Sequence, residues 1–163
     1  MVTRKSSAAD FHSYFVAIAR ARSVVRRVLR MIDEQAKRLG LEALEHQMLI
    51  QVYGADDHGV QVRDLAERLD ISPPHASRLV RTLEERGLVA RGGSPADQRA
   101  TIVRATEAGV DLLRQIDAEV RLEVGHYQRQ LRDADRFNAL SIFALYVGLD
   151  ISPEALARKL GRP

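Results

Sequence analysis

Apolar residues near the start of the chain recur at the spacing of one helical face. Across residues 11–32 they fall at steps of three and four, which predicts a long amphipathic helix. Gly40 is expected to end this helix, because glycine readily adopts the conformation that closes a helix. A second helix is predicted over residues 41–53, with Gly54 after it.

The middle of the chain predicts two short helices joined by a tight turn. The first spans residues 62–69, and the second begins after Ser72 and runs to about Arg86, where Gly87 closes it. Ser72 is expected to cap the second helix through its side chain, and Pro73 suits the first helical position. Two such helices form a helix-turn-helix unit.

Two short strand-like runs follow, at residues 88–91 and 101–104. The segment between them is polar and rich in glycine, which predicts a β-hairpin with a long tip. Thr106 is then expected to cap a long helix to about residue 131, and another helix is predicted over residues 135–149. Ser152 and Pro153 are expected to start a short terminal helix that ends near Leu160; the alternative is that this segment frays.

These elements predict a mainly α-helical fold with a small β-hairpin. We expect residues 1–163 to form a single domain, because 163 residues, 45% of them hydrophobic, suffice for one core. Within it, a winged helix-turn-helix lobe covers about residues 55–106. The long helices at about residues 10–39 and 107–149 lie outside that lobe.

The composition excludes several classes of protein. There is no cysteine, which rules out disulfide scaffolds, thiolate metal sites and cysteine-based peroxide sensing. No stretch approaches the roughly 20 apolar residues that span a bilayer, so we expect a cytoplasmic protein without a membrane partner. The five histidines lack metal-ligand spacing and no catalytic motif is present, so no enzyme activity, metal or cofactor is predicted.

The positive charge is concentrated in two segments. The formal net charge is +3, and residues 1–38 carry nine Lys/Arg against three Asp/Glu. Residues 72–104 carry six arginines against three acids. This distribution favours a polyanionic partner such as double-stranded DNA.

The second helix of the helix-turn-helix unit has one apolar side and one polar, basic side. Ala76, Leu79, Val80 and Leu83 cluster at helical spacing and are expected to face the core. The opposite side has the chemistry that fits a major groove, where arginine can pair with guanine through two hydrogen bonds. The residues of this region predicted to contact DNA are Ser72, Pro74, His75, Ser77, Arg78 and Arg81.

The hairpin predicts a second contact with DNA. Arg91 on the first strand, with Gln98 and Arg99 at the tip, is expected to approach the duplex, where the minor groove attracts arginine. Asp97 would be repelled by phosphates, so its predicted role is to hold an arginine or a turn amide in position. An arginine-rich surface alone is usually only solvated. A helix-turn-helix unit followed by a basic wing is a more specific indication of DNA binding.

Several segments resemble the MarR family of winged helix-turn-helix transcription regulators. The resemblance rests on the run from Leu65-Ala66 to Arg86-Gly87-Leu88-Val89, on Asp97-x-Arg99, and on Thr106-Glu107-x-Gly109. The order of long and short helices extends it over essentially the whole chain. It implies a triangular homodimer whose two lobes bind a pseudo-palindromic operator. Pro73-Pro74 and Ala105 depart from the usual family pattern.

The terminal helices carry large apolar side chains that a lobe of about 50 residues could not cover. We expect them to form a twofold dimer interface; the alternative is that they pack only within one chain. The interface residues predicted in this way are Phe11, Phe15, Phe137, Leu140 and Phe143.

Arg22 and His46 are the predicted ligand-binding residues. Arg22 falls among Ile18, Val25 and Leu29 on the expected apolar seam, where a charge pairs with an acid, faces solvent or binds an anionic ligand. His46 could line the same crevice or be a structural histidine. The family resemblance implies a small aromatic acid or phenolic effector that lowers DNA affinity.

The leading hypothesis is therefore a homodimeric, ligand-responsive repressor. The alternative is a DNA-binding regulator without a small-molecule ligand, controlled by its abundance or by a protein partner.

Overall fold

The computed structural model describes residues 8–55, 59–93 and 101–149, with side chains from residue 11 onwards. The helices in these ranges are α1 (Ala8–Arg38), α2 (Ala43–Tyr53), α3 (Val62–Arg68), α4 (Pro73–Glu85), α5 (Glu107–Gln130) and α6 (Asp133–Tyr146). The strands are β1 (Val60–Gln61), β2 (Val89–Gly93) and β3 (Thr101–Ala105).

The predicted fold class is confirmed, with one addition to the hairpin. The sheet is antiparallel in the order β1-β3-β2, and Val89 pairs with Ala105 across β2 and β3. The unpredicted strand β1 pairs Val60 with Val103 on the other side of β3. Two residues are too short for a recognisable alternation, so the sequence predicted only the hairpin.

The chain forms two compact units, and the helix-turn-helix region belongs to the unit Met31–Glu123. Its core combines side chains from α2, α3, α4, the sheet and α5. In α5, Ile116 is buried at 1% exposure, whereas Leu113 and Val120 are only half-buried. The largest described side chains with less than 2% exposure are Leu41, Met48, Leu49, Leu65, Leu83, Ile116, Val80 and Val103.

The second unit comprises the described residues before Met31 and after Glu123. Within it, the guanidinium carbon of Arg27 lies 4.6 Å from the centre of the Tyr127 ring, and Ala21 and Ala144 are buried. Many large apolar side chains of this unit are instead exposed. The five predicted interface residues, Phe11, Phe15, Phe137, Leu140 and Phe143, are each at least half exposed.

Two predictions about the end of the chain have different outcomes. The last major helix is present, but it begins at Asp133 and ends at Tyr146. The short helix predicted after Ser152 lies outside the described residues. No described helix combines the length and apolarity needed to cross a bilayer.

Candidate nucleic-acid interface

The turn between α3 and α4 depends on one residue in a left-handed conformation. Asp70 has a φ of 51°, which aspartate tolerates better than most side chains. The amide of Ile71 donates a hydrogen bond to the carbonyl of Ala66 at 3.0 Å. This bond closes the turn onto the end of α3, so the helix-turn-helix unit predicted from the sequence is confirmed.

The start of α4 differs from the prediction in its cap. Pro73 does occupy the start of the helix, where its missing amide leaves no helical bond unmade. Ser72 is in the N-cap position, but its side chain makes no capping hydrogen bond, so that prediction is wrong. Its carbonyl accepts hydrogen bonds from the amides of His75 and Ala76 at 2.9 and 3.0 Å. The exposed Ser72 hydroxyl therefore keeps its hydrogen-bonding capacity.

One side of α4 is fixed in the core. Ala76, Val80 and Leu83 have no measurable exposure, and Leu79 is half-buried against the same cluster. Burying a Val or Leu side chain contributes about 1.5–3 kcal/mol. The orientation of α4 about its own axis is thus set by these residues, as predicted.

The other side of α4 presents two arginines to solvent. Pro74, Ser77, Arg78 and Arg81 are exposed and His75 is half-buried. Residues four and seven positions apart lie on one helical face, so Pro74, Arg78 and Arg81 share a side. Within the described part of the chain, neither Arg78 nor Arg81 has an ion-pair partner. Their contact with DNA stays a prediction, since the structure contains no DNA.

Arg91 has a different environment from the arginines of α4. Its Nε donates to Oε2 of Glu84 at 2.7 Å, its Nη2 bonds the same oxygen, and its amide donates to Oε1 at 3.3 Å. These hydrogen bonds lower the pKa of the Glu84 carboxyl and raise the pKa of Arg91. The pair ties β2 to α4, so an Arg91 contact with DNA, which stays a prediction, would compete with Glu84.

The predicted wing has both of its strands. Their pairing runs from Val89 and Ala105 to Gly93 and Thr101. The tip between Gly93 and Thr101 lies outside the described residues. The roles assigned to Asp97, Gln98 and Arg99 therefore stay predictions.

The start of α5 is bound to the segment after α4 by Thr106. Its hydroxyl donates to the Gly87 carbonyl at 2.6 Å and accepts from the Gly109 amide at 3.1 Å. Its own amide donates to the Leu88 carbonyl at 3.1 Å. The predicted cap is confirmed. Gly109, the last residue of the Thr106-Glu107-x-Gly109 motif, has no room for a side chain, because a Cβ there would lie 2.1 Å from the Leu88 carbonyl oxygen.

An ion pair also connects α2 with the end of α4. Nη1 of Arg86 lies 3.1 Å from Oε2 of Glu45, whose side chain is only 14% exposed. The same oxygen accepts a hydrogen bond from the Glu42 amide at 3.0 Å and so caps α2. The paired residues are 41 positions apart, and no pattern in the sequence indicated their contact.

A mostly apolar pocket of about 330 Å³ lies beside α2 in the same unit. Its polar lining groups are His46 and Tyr53 on α2 and Asp117 on α5. Its aliphatic lining residues are Ile32, Ile50, Leu113, Ile116 and Val120. The sequence predicted His46 as a pocket residue but gave no other part of this lining.

His46 is buried, and its Nδ1 atom has no hydrogen-bond partner among the residues that the structure describes. The residue is 5% exposed, and Nδ1 is inaccessible to solvent. Burial lowers the pKa of His46, and the carboxylate of Asp33 opposes part of that shift. The imidazole is therefore neutral near pH 7. A role in ligand binding stays a prediction, but His46 is not a surface histidine.

Arg22 on α1 agrees with one of the three alternatives predicted for its charge, a side chain that faces solvent. Arg22 is exposed, and the neighbouring Ala21 is buried at 0% exposure. Along the predicted seam, Ile18 and Val25 are half-buried, whereas Leu29 is 56% exposed. Successive helical residues differ by about 100° in direction, so Arg22 points away from the side that buries Ala21, and its role in ligand binding stays a prediction. Arg22 does not line the pocket beside α2.

Comparison with known proteins relates the helix-turn-helix region to a family. Residues 39–100 match the model of the MarR family. A protein assigned to regulation of the hcr operon in Thauera aromatica is 32% identical over 82 residues, which cover 50% of this chain and 49% of that protein. The transcriptional repressor MprA of Escherichia coli is 28% identical over 90 residues, covering 55% of this chain and 51% of MprA.

A solved structure extends the likeness beyond the lobe. CouR from Rhodococcus jostii RHA1, bound to p-coumaroyl-CoA, is 28% identical, with a TM-score of 0.60 over 76% of this chain and 85% of CouR. Residues 39–100 of this chain, which hold the helix-turn-helix unit, match the MarR family. The chain spans about half the length of the curated MarR-type relatives it matches. The MarR match includes α2, α3, α4 and β2, and therefore the exposed arginines and both ion pairs that involve α4.

Proposed function

We propose that this chain is a DNA-binding transcription regulator of the MarR type whose helix α4 contacts bases in the major groove. The observation that carries the proposal is the pair of exposed arginines, Arg78 and Arg81, on a helix whose opposite side is buried. A major groove admits an α-helix, and arginine is the residue most often paired with guanine there. Because the core fixes α4, its arginines are presented without a rearrangement of the helix.

We further propose that the protein acts as a homodimer that represses transcription. Exposed aromatic residues such as Phe11 and Phe137 favour a second copy as their cover. Two identical lobes bound about 34 Å apart would contact successive major grooves, which implies a pseudo-palindromic operator. The likeness to the repressor MprA favours repression.

The pocket beside α2 is the proposed site of a small aromatic effector that releases DNA. The likeness to CouR, solved with p-coumaroyl-CoA, supports an aromatic ligand. His46 lines the pocket, and its neighbour Glu45 pairs with Arg86 at the end of α4. A ligand that displaces α2 would act on α4 through this ion pair. Such coupling requires the ligand to bind the two states of the protein with different affinities.

Fluorescence anisotropy with the DNA upstream of the protein's own gene tests DNA binding. Arg78→Ala should weaken binding by about 1–3 kcal/mol and relax base choice at one position. The control Arg114→Ala, which removes an exposed arginine paired with Asp111 on α5, should leave affinity unchanged. Absence of wild-type binding to any palindromic segment at low salt would refute the proposal.

Two further measurements test the proposed homodimer and the proposed effector. Sedimentation at micromolar concentration should give a dimer, and a monomer would contradict the homodimer. DNA affinity that does not change across a panel of aromatic compounds would favour the alternative regulator, which has no small-molecule ligand.

A further inference from the structure

The described start of α4, residues 73–76, has no free backbone amide to donate to a phosphate. Its first two residues are Pro73 and Pro74, which lack the N–H group. The next two amides, those of His75 and Ala76, both donate to the carbonyl oxygen of Ser72, at 2.9 and 3.0 Å. The start of a helix commonly binds an anion through its free amides. This helix start instead presents two exposed proline rings.

Pro74 lies in the middle of the exposed side of α4. Successive helical residues differ by about 100° in direction, so Pro74 points about 160–180° away from the buried Ala76 and Leu83. By the same geometry it lies within about 40° of the exposed Arg78 and Arg81. In a helix-turn-helix unit, the N-terminal residues of the second helix contact base edges. As the second residue of α4, Pro74 is therefore placed to meet a base.

A proline ring is complementary to one group of the major groove. Of the four bases, thymine alone presents a methyl group there, at C5. The ring has no donor or acceptor, so against an amino or carbonyl group it would remove water without replacing the hydrogen bond. Against a methyl group it removes apolar surface from water on both sides. The ring is also rigid, so its side chain loses almost no conformational entropy on contact.

We propose that Pro74 selects a thymine in the DNA site through contact with its C5-methyl group. This selection rests on the proposed function, because it requires α4 to lie in the major groove, and it names a base that the start of α4 recognises. Pro74 and Arg78 are separated by about 6 Å along the helix axis, which corresponds to about two base pairs. The thymine should therefore lie within about three base pairs of a guanine bound by Arg78.

Replacing thymine with uracil tests this contact, because uracil lacks only the methyl group. The probe is the palindromic segment that the full chain binds upstream of its own gene, with each thymine of a half-site replaced in turn. We expect one replacement to weaken wild-type binding about fourfold in fluorescence anisotropy, as for one methyl group left in water. The dependence of affinity on salt concentration should stay the same, because no phosphate contact is lost.

Two proline variants assign the effect to a residue. Pro74→Gly removes the ring, so it should bind the thymine and uracil probes with equal affinity. Pro73→Gly is the matched control, since it makes the same change at a position that points about 100° away, and it should keep the fourfold difference. Each variant is compared with itself on two probes, so a change in its stability does not alter the ratio.

Three results would overturn thymine selection by Pro74. They are a wild type insensitive to uracil at every thymine, an undiminished uracil effect in Pro74→Gly, and loss of the effect in Pro73→Gly instead. The wild-type scan stands even if a variant does not fold.

The same probes separate this proposal from the proposed function. A guanine replaced by 7-deazaguanine lacks the N7 acceptor that arginine uses. Wild-type binding that responds to 7-deazaguanine but to no uracil would refute thymine selection alone. Absence of binding to any segment at low salt would refute the proposed function, and thymine selection with it.

Discussion

Replacing Gly109 with alanine would place a methyl carbon where the carbonyl oxygen of Leu88 already lies. The Cβ would be 2.1 Å from that oxygen, 3.1 Å from the carbonyl carbon and 3.3 Å from Cδ1 of Leu49. Real Cβ atoms essentially never approach other atoms within 3.0 Å. Because the oxygen is backbone and also accepts the Thr106 amide, α5 must move away from the end of α4.

The expected change in the free energy of unfolding of Gly109→Ala follows from two opposing effects. Overpacking a well-packed site costs roughly 1–3 kcal/mol, and the upper end applies here because neither backbone can rotate aside. Alanine in a helix is favoured over glycine by about 1 kcal/mol. We therefore expect Gly109→Ala to lower the free energy of unfolding by about 1–2 kcal/mol.

Gly125 in the same helix provides a matched control. A Cβ there meets only Nη1 of Arg129, at an ordinary 3.9 Å. Gly125→Ala should gain helix propensity without a clash and stabilise the protein by about 0.5–1 kcal/mol. Urea unfolding at one fixed protein concentration measures both variants, since the proposed dimerisation would make stability depend on concentration. Equal shifts of the same sign would refute the close approach of α5 to Leu88.

Three further perturbations test other contacts. Thr106→Val removes the hydroxyl bonded to Gly87 and should lower the free energy of unfolding by about 1–2 kcal/mol; an unchanged urea midpoint would contradict this cap. Glu84→Gln should accelerate hydrogen exchange at the Arg91 amide with little change in global stability, and unaltered exchange would show that the pair does not restrain β2. Burial lowers the pKa of His46 in the folded state, so the unfolded state binds the proton at a higher pH than the folded state does. The free energy of unfolding should therefore decline as pH falls below 6.5. His46→Phe should remove that decline in urea unfolding, and an identical pH dependence in both proteins would contradict a neutral buried imidazole.

The helices of the lobe were predictable because their apolar periodicity and their breakers agree. Gly40, Gly54 and Gly87 each follow a helix as expected. In α4 the four apolar residues specified the buried side, and the arginines then had to lie on the other. Local sequence and packing point to the same structure here.

The sequence-based predictions fail, or are missing, where neighbouring patterns compete or where the contacting residues are distant in sequence. On α1 the predicted seam included Leu29, which is 56% exposed, and missed Ala21, a small side chain with 0% exposure. The Glu45–Arg86 pair depends on how α2 meets α4, which no local signal encodes. The same holds for the pocket, whose lining comes from three helices.

The proposed base contact can be measured most directly by changing the DNA instead of the protein. Substituting 7-deazaguanine for guanine in an operator half-site removes the N7 acceptor in the major groove that arginine uses. The proposed function predicts that one such substitution weakens the wild type and causes no further loss in Arg78→Ala or Arg81→Ala. Equal losses in the wild type and in both variants at every guanine would contradict base contact by the exposed side of α4.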